Sequence, residues 1–181
     1  NRLDNINGIA TLDQLGITLD SVQYSTAQQI SLEARSPAFD QKELHFRSEF
    51  MDADITGKFN LADFPKSVID FVNDFFPVEG LIANDSLFQS IDLAKEQDVV
   101  FNLRFKDIAP IAQLFVPDFT NVDASYISGD FKSERKQLNL TGSFPNINYG
   151  ALKIDTFHIT SNGTPRKLET TVTLRQASSG D

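Results

Sequence analysis

The chain has 181 residues, 40% of them hydrophobic and 23% charged, a composition that suits one packed domain or a piece of a larger protein and excludes a disordered segment. Lys and Arg total 16 against 25 Asp and Glu, a formal net charge of −9, which argues against a nucleic-acid platform because phosphate binding needs a basic face. Sixteen Phe stand beside three Tyr, with no Trp and no Cys. Aromatic rings without polar handles imply a large apolar surface, and the missing thiols exclude disulfides, thiolate metal sites and thiol nucleophiles together.

The first residue is Asn rather than Met. No basic-then-apolar leader is visible, and no apolar run reaches the roughly 18 residues of a membrane span. The expectation is a soluble, mature or excised fragment.

Most of the chain reads at the strand period of two. Ile17 and Leu19 alternate, then Ile30, Leu32 and Ala34, then Leu44 and Phe46 with Phe50 beyond. Ile55, Gly57, Phe59 and Leu61 share one face, with Thr56, Lys58 and Asn60 on the other. Val99, Phe101, Leu103 and Phe105 repeat this opposite Asn102 and Arg104. Leu138 and Leu140 lead to Phe144. Leu152 and Ile154 follow, and the phase then slips to Phe157 and Ile159, as a bulge would produce. Leu168, Val172 and Leu174 come last. Turn signals fall at Asn7-Gly8, Tyr149-Gly150 and Asn162-Gly163. Roughly ten short strands, each apolar on one face, predict an antiparallel sheet wetted on one side.

Two segments carry helical spacing instead. In Lys66–Phe76 the apolar set is Val68, Ile69, Phe71, Val72, Phe75 and Phe76, with Pro65 at the start and Pro77 at the stop. In Asp107–Val116, Asp107 is the N-cap, Pro110 falls in the first turn and Pro117 ends the segment. Each follows a Phe-Asn-Leu tripeptide, at Phe59 and at Phe101, and each ends in a Pro stop. The pairing suggests an internal repeat over about 44–98 and 99–160 within a single β-rich fragment spanning 1–181.

Few residues suggest chemistry. Asp52, Asp54, Thr56 and Gly57, with Asp63 at the twelfth place, approximate a calcium loop over 52–63. The entering segment Leu44–Phe50 alternates at period two, however, where a calcium loop needs a helix. The competing reading is a hairpin turn with solvated acids, followed by a strand. His45 and His158 each lie within a strand pattern and read as surface or half-buried residues, although a two-His site forms if the fold joins them. Sequon matches occur at Asn84, Asn139 and Asn162. No serine-hydrolase elbow, paired-carboxylate site or Gly-rich phosphate loop appears, so neither an enzyme nor a cofactor is expected.

Two helices of about ten residues cover only part of a ten-strand sheet, roughly 45 Å wide. Something else covers the rest: the sheet curling on itself, further protein, or an apolar ligand. The expected lining of that face is Phe46, Phe59, Leu61, Phe101, Leu103, Phe105, Leu138, Leu140 and Phe144. The same residues form an ordinary core if the sheet closes.

The run from Phe101 to Ile154 resembles the repeat unit of the TamB family, within the wider AsmA-like group. The matching features are Leu114-Phe115-Val116-Pro117, Ser128-Gly129-Asp130, the strand Leu138–Phe144 and Pro145. The Phe59–Pro77 copy matches less fully, because Val78–Gly80 lacks a Ser-Gly-Asp continuation. The resemblance covers 55–174 and, weakly, the start.

It implies a mainly β fold, a curved, elongated antiparallel sheet forming a groove, with two short α-helices. It further implies a fragment of a long periplasmic protein of a Gram-negative bacterium, anchored in the inner membrane. The implied role is outer-membrane biogenesis, with phospholipid or other acyl-chain ligands in the groove and an outer-membrane barrel assembly protein as partner of the full-length chain. It carries no catalytic residues. A scaffold that assists outer-membrane proteins by strand pairing is the alternative.

Overall fold

A computed structural model describes residues 7–19, 22–60, 96–109, 118–164 and 167–179. The strands are β1 (Gly8–Leu12), β2 (Gly16–Leu19), β3 (Val22–Ser25), β4 (Ile30–Ala38), β5 (Gln41–Arg47) and β6 (Met51–Lys58), followed by β7 (Asp98–Phe105), β8 (Phe119–Asn121), β9 (Ser125–Lys132), β10 (Gln137–Tyr149), β11 (Leu152–Thr164) and β12 (Lys167–Ser179). The fold is mainly β. Ten strands form one antiparallel sheet, nine of them in the order β1-β4-β5-β6-β7-β9-β10-β11-β12, with β8 pairing beside β9 on β10. Among the described residues the sheet is open, with β1 and β12 at its edges. The helices expected at Lys66–Phe76 and Asp107–Val116 lie outside the described residues, apart from 107–109.

The period-two pattern becomes two chemically distinct faces because directly paired residues point the same way. One row runs Ala10, Leu32, Phe46, Ala53, Leu103, Ile127, Gly142, Ile159, Val172, apolar across all nine strands. The next row on the same face runs Ala34, Leu44, Ile55, Phe101, Gly129, Leu140 and ends on Ser161 and Thr170, whose hydroxyls hydrogen-bond at 3.0 Å. The opposite face carries Glu33, His45, Asp54, Asn102, Ser128, Thr141, Thr160 and Thr171 in a single row. A one-residue slip of any strand would exchange these faces, so burial of one face sets the register.

Glycine makes room where rings cross the apolar face. A Cβ on Gly129 would lie 2.1 Å from the Asn139 carbonyl oxygen and 2.8 Å from the Phe101 ring.

Tight packing concentrates at one end of the sheet. Phe59, Val99, Phe131 and Leu138 form a buried cluster, with Leu44, Ile55, Phe101, Leu140 and Leu168 packed against it. Buried Gln97 clamps this end. Its side-chain oxygen accepts from the Asn60 backbone N–H at 2.9 Å, and its backbone N–H donates to Ser133 Oγ at 2.9 Å.

The β2–β3 hairpin forms a separate two-stranded sheet. Glu49, in the turn between β5 and β6, ties down its far strand and the segment after it. The carboxylate accepts from the Tyr24 hydroxyl at 2.6 Å and from the Ala27 and Gln28 amides at 2.8 and 2.9 Å. The Tyr24 hydrogen bond, more than the two amides, holds the Glu49 carboxyl below its ordinary range. Burial first, and Glu49 second, pushes the Tyr24 hydroxyl upward.

Of the expected turns, Asn7-Gly8 falls where Gly8 already opens β1, paired with Ala34. Tyr149-Gly150 does make a turn, with Gly150 at φ 52°. Asn162-Gly163 does not: both residues lie inside β11, paired with Glu169 and Leu168, so the reversal comes after Thr164. Gly163 serves the sheet instead, opposite Leu168. The phase slip between Ile154 and Phe157 is real but leaves the β10–β11 offset unchanged, because Pro145 pairs with Thr156 and Ile147 with Ile154. The irregularity comes from the neighbouring strands, where Asn146 and Gln176 both take left-handed backbone at φ 51°. Asn146 is held there by its side-chain amide donating to Asp123 and by its carbonyl accepting from Asn121.

Candidate functional site: the apolar sheet face

The sheet brings together most of the expected lining. Phe46 and Leu103 lie in the first apolar row, Phe101 and Leu140 in the second. Phe105 pairs with Met51 and Phe144 with Phe157, extending the face toward Leu174. The Phe144 ring lies 6.3 Å from that of Phe105 and 5.8 Å from that of Phe157. Leu138 belongs to the closed cluster with Phe131. Phe59 stands just beyond β6, buried in the same cluster, with the Lys42 ammonium 5.9 Å from its ring centroid. Leu61 lies outside the described residues.

Burial divides these residues into two groups. Phe59 and Leu138 are core. Phe46, Phe101, Leu103, Phe105, Leu140 and Phe144 are half-buried. The exposure is greatest toward the edges, where Leu32 is 40%, Val172 50% and Leu174 53% exposed. Leu32, Ile127, Phe157, Ile159 and Val172 complete the face and were not among the expected lining. The alternation of Ile127 and Phe131 against Ser128, Asp130 and Lys132 was legible, but Gly129, without a side chain, interrupts the apolar series.

The polar face is a network of paired charges. Asp54 accepts from Arg47 at 2.5 Å and contacts His45 Nδ1 at 2.5 Å, and Lys106 pairs with Asp52 at 2.6 Å. Burial pushes the Asp54 carboxyl upward, but the His45 and Arg47 contacts outweigh it, so Asp54 sits below the ordinary carboxylate range. A cavity of about 540 Å³ on this side is lined by Arg47, Asp52, Asp54, Asn102, Arg104 and Tyr126 among others. The acids there are spent on Arg47, His45 and Lys106.

This geometry replaces the calcium loop and the acidic hairpin turn considered for 52–63. Asp52–Lys58 is extended strand, so Asp52, Asp54 and Thr56 stand in line on one face and do not wrap around a point. Asp63 lies outside the described residues. Among the described residues no group of three or more His, Asp or Glu side chains converges to hold a metal ion. His45 on β5 and His158 on β11 are five strands apart in the sheet, about 24 Å at 4.8 Å per strand, so they form no joint site.

The two Phe-Asn-Leu tripeptides also differ in place. Phe59-Asn60 follows β6, while Phe101-Asn102-Leu103 lies inside β7. No described helix is long and apolar enough to cross a membrane.

The described residues therefore present an open sheet with one continuous, half-exposed apolar face. Comparison with known proteins found no match among family models, curated proteins or solved structures.

Proposed function

We propose that the chain is a non-enzymatic segment of a TamB/AsmA-like protein of the Gram-negative periplasm, whose apolar sheet face carries phospholipid acyl chains during outer-membrane biogenesis. The observation that carries this reading is the row from Ala10 to Val172, apolar on every one of nine strands, backed on the far face by the polar row from Glu33 to Thr171. Acyl chains need no hydrogen bonds, and each covered methylene contributes about 0.8 kcal/mol. Ten of them supply about 8 kcal/mol before the entropic cost of ordering the chain. Head groups stay at the margin of the sheet, in water. In the full-length protein an inner-membrane anchor and an outer-membrane barrel assembly partner complete the path.

Native mass spectrometry of gently purified protein tests this. Phospholipid adducts are expected on the wild type. They should disappear with Leu103→Asp, which puts a charge in the middle of the apolar face, and persist with Ser128→Asp on the polar face. Clean apo-protein, or equal loss from both variants, would sink the reading. A second reading, suggested by β1 and β12 as the outermost of the described strands, is a scaffold that pairs with strands of outer-membrane proteins. It predicts cross-links from β1 or β12 to such clients.

A further inference from the structure

The polar face holds a patch of side chains that the sheet leaves unused. On β7 and β9, Asn102 stands opposite Ser128 and Arg104 opposite Tyr126. All four line the cavity of about 540 Å³. Among the described residues none of these four side chains has a hydrogen-bond or ion-pair partner. Their charged neighbours are matched: Arg47 holds Asp54, and Lys106 holds Asp52. Arg104 is the register partner of Asp52 across β6 and β7, yet the Lys106 ammonium has that carboxylate at 2.6 Å. Arg47, Arg104 and Lys106 thus stand against Asp52 and Asp54, which leaves one positive charge over in a chain of net −9.

We propose that this patch binds a sugar acid, with the carboxylate on Arg104, hydroxyl groups on Asn102 and Ser128, and the sugar ring against Tyr126. The charge sets the class. One uncompensated cation calls for a single negative charge, and the guanidinium fork matches a carboxylate bidentately. The amide of Asn102 and the hydroxyl of Ser128 each offer a donor and an acceptor, which suits hydroxyl groups better than apolar ones. Tyr126 is 48% exposed and presents an apolar ring with a polar tip. The spacing sets the size. Residues two apart on a strand stand about 7 Å apart and paired strands about 5 Å, so the four corners frame roughly one six-membered ring.

The neighbouring acids add selectivity. Asp52 and Asp54 flank the patch on β6, opposite Arg104 and Asn102. Each is neutralised by its own cation, but a second negative charge on the ligand would meet them without a further cation to offset it. The patch therefore discriminates against dianions such as phosphate monoesters. Its strands are interior, since β6, β7 and β9 lie between β5 and β10, so the four residues are held in place from both sides. The patch lies on the far face from the apolar rows, and the inference does not depend on what those rows carry.

The test is an NMR titration of the whole chain with D-glucuronate at fixed ionic strength, with glucose, acetate and glucose 6-phosphate as comparisons. Glucuronate should shift the Asn102, Arg104, Tyr126 and Ser128 signals saturably, and each comparison should bind more weakly. Arg104→Lys keeps the charge but loses the fork, and should weaken glucuronate about tenfold. Arg104→Gln should abolish binding. Ser128→Asp should also abolish it, although the same variant is expected to keep phospholipid adducts, so the two readings fail separately. Thr171→Ala, on the same face but away from the patch, should bind as the wild type does. No saturable shift with glucuronate overturns the proposal. So does acetate or glucose 6-phosphate binding as tightly, or an Arg104→Gln variant that binds normally while circular dichroism shows an intact sheet.

Discussion

Phe131 is the most revealing side chain to remove. It is 1% exposed, and its neighbours Val99, Phe59 and Leu138 are 0%, 4% and 7% exposed. Phe131→Ala therefore leaves a cavity that neither solvent nor a small rotamer change can fill, and buried Phe→Ala changes cost about 3–5 kcal/mol. Phe144 has the same chemistry in a different setting. It is half-buried, held by ring contacts to Phe105 and Phe157, and already meets water on one side. Its truncation forfeits only the covered part, about 1–2 kcal/mol. Equilibrium urea unfolding separates the two. With an m-value of about 2 kcal/mol per molar, Phe131→Ala should lower the midpoint by about 2 M and Phe144→Ala by less than about 1 M, with m unchanged. Equal losses would refute the division of the apolar side into a closed core near Phe131 and a half-open face elsewhere. Much of the functional reading depends on that division.

Gly129→Ala should destabilise by at least about 2 kcal/mol in the same assay, because the new methyl meets backbone oxygen at 2.1 Å, whereas Gly16→Ala, with nothing within 4 Å, should be neutral or slightly stabilising. Gln97→Leu should cost about 1–3 kcal/mol, since the Asn60 amide loses its 2.9 Å acceptor in a buried place; hydrogen exchange at Asn60 should accelerate. Glu49 titrates below its ordinary value chiefly through the Tyr24 hydroxyl, so an NMR titration of Tyr24→Phe should find Glu49 moved back upward. A depressed folded-state value stabilises the fold above the unfolded carboxyl range, about pH 4 to 5, and that contribution disappears as pH falls through the folded value. Arg47→Ala should likewise raise Asp54, and an unchanged Asp54 titration would contradict the 2.5 Å ion pair.

Much of the sheet is legible from alternation alone. Val99–Phe105 reads as a strand because every second residue is apolar, and it is one; the strand expected from Ile55 onward instead begins at Met51 and ends at Lys58, with Ile55 on the apolar face as anticipated. The Tyr149-Gly150 turn is legible for the same local reason. Asn162-Gly163 misleads because its turn chemistry is local, whereas Gly163 answers to Leu168 across the sheet. Asp52 and Asp54 mislead in the same way: their spacing imitates a loop, but strand pairing with β5 and β7 holds them extended. The phase slip near Asp155 is visible in β11, yet its cause lies in Asn146 and Gln176 on the flanking strands.

Composition and period thus determined the class of this protein: mainly β, antiparallel, with Phe-rich apolar faces on short strands. Both are properties of neighbours along the chain, and side-chain alternation follows from the pleat of a single strand. Strand order, register and edges depend on contacts between residues far apart in sequence. Only the tertiary structure decided that nine strands align their apolar residues into one row and that Phe131 rather than Phe144 is core. Burial sets those choices, and burial is a property of the assembled sheet that no single strand possesses.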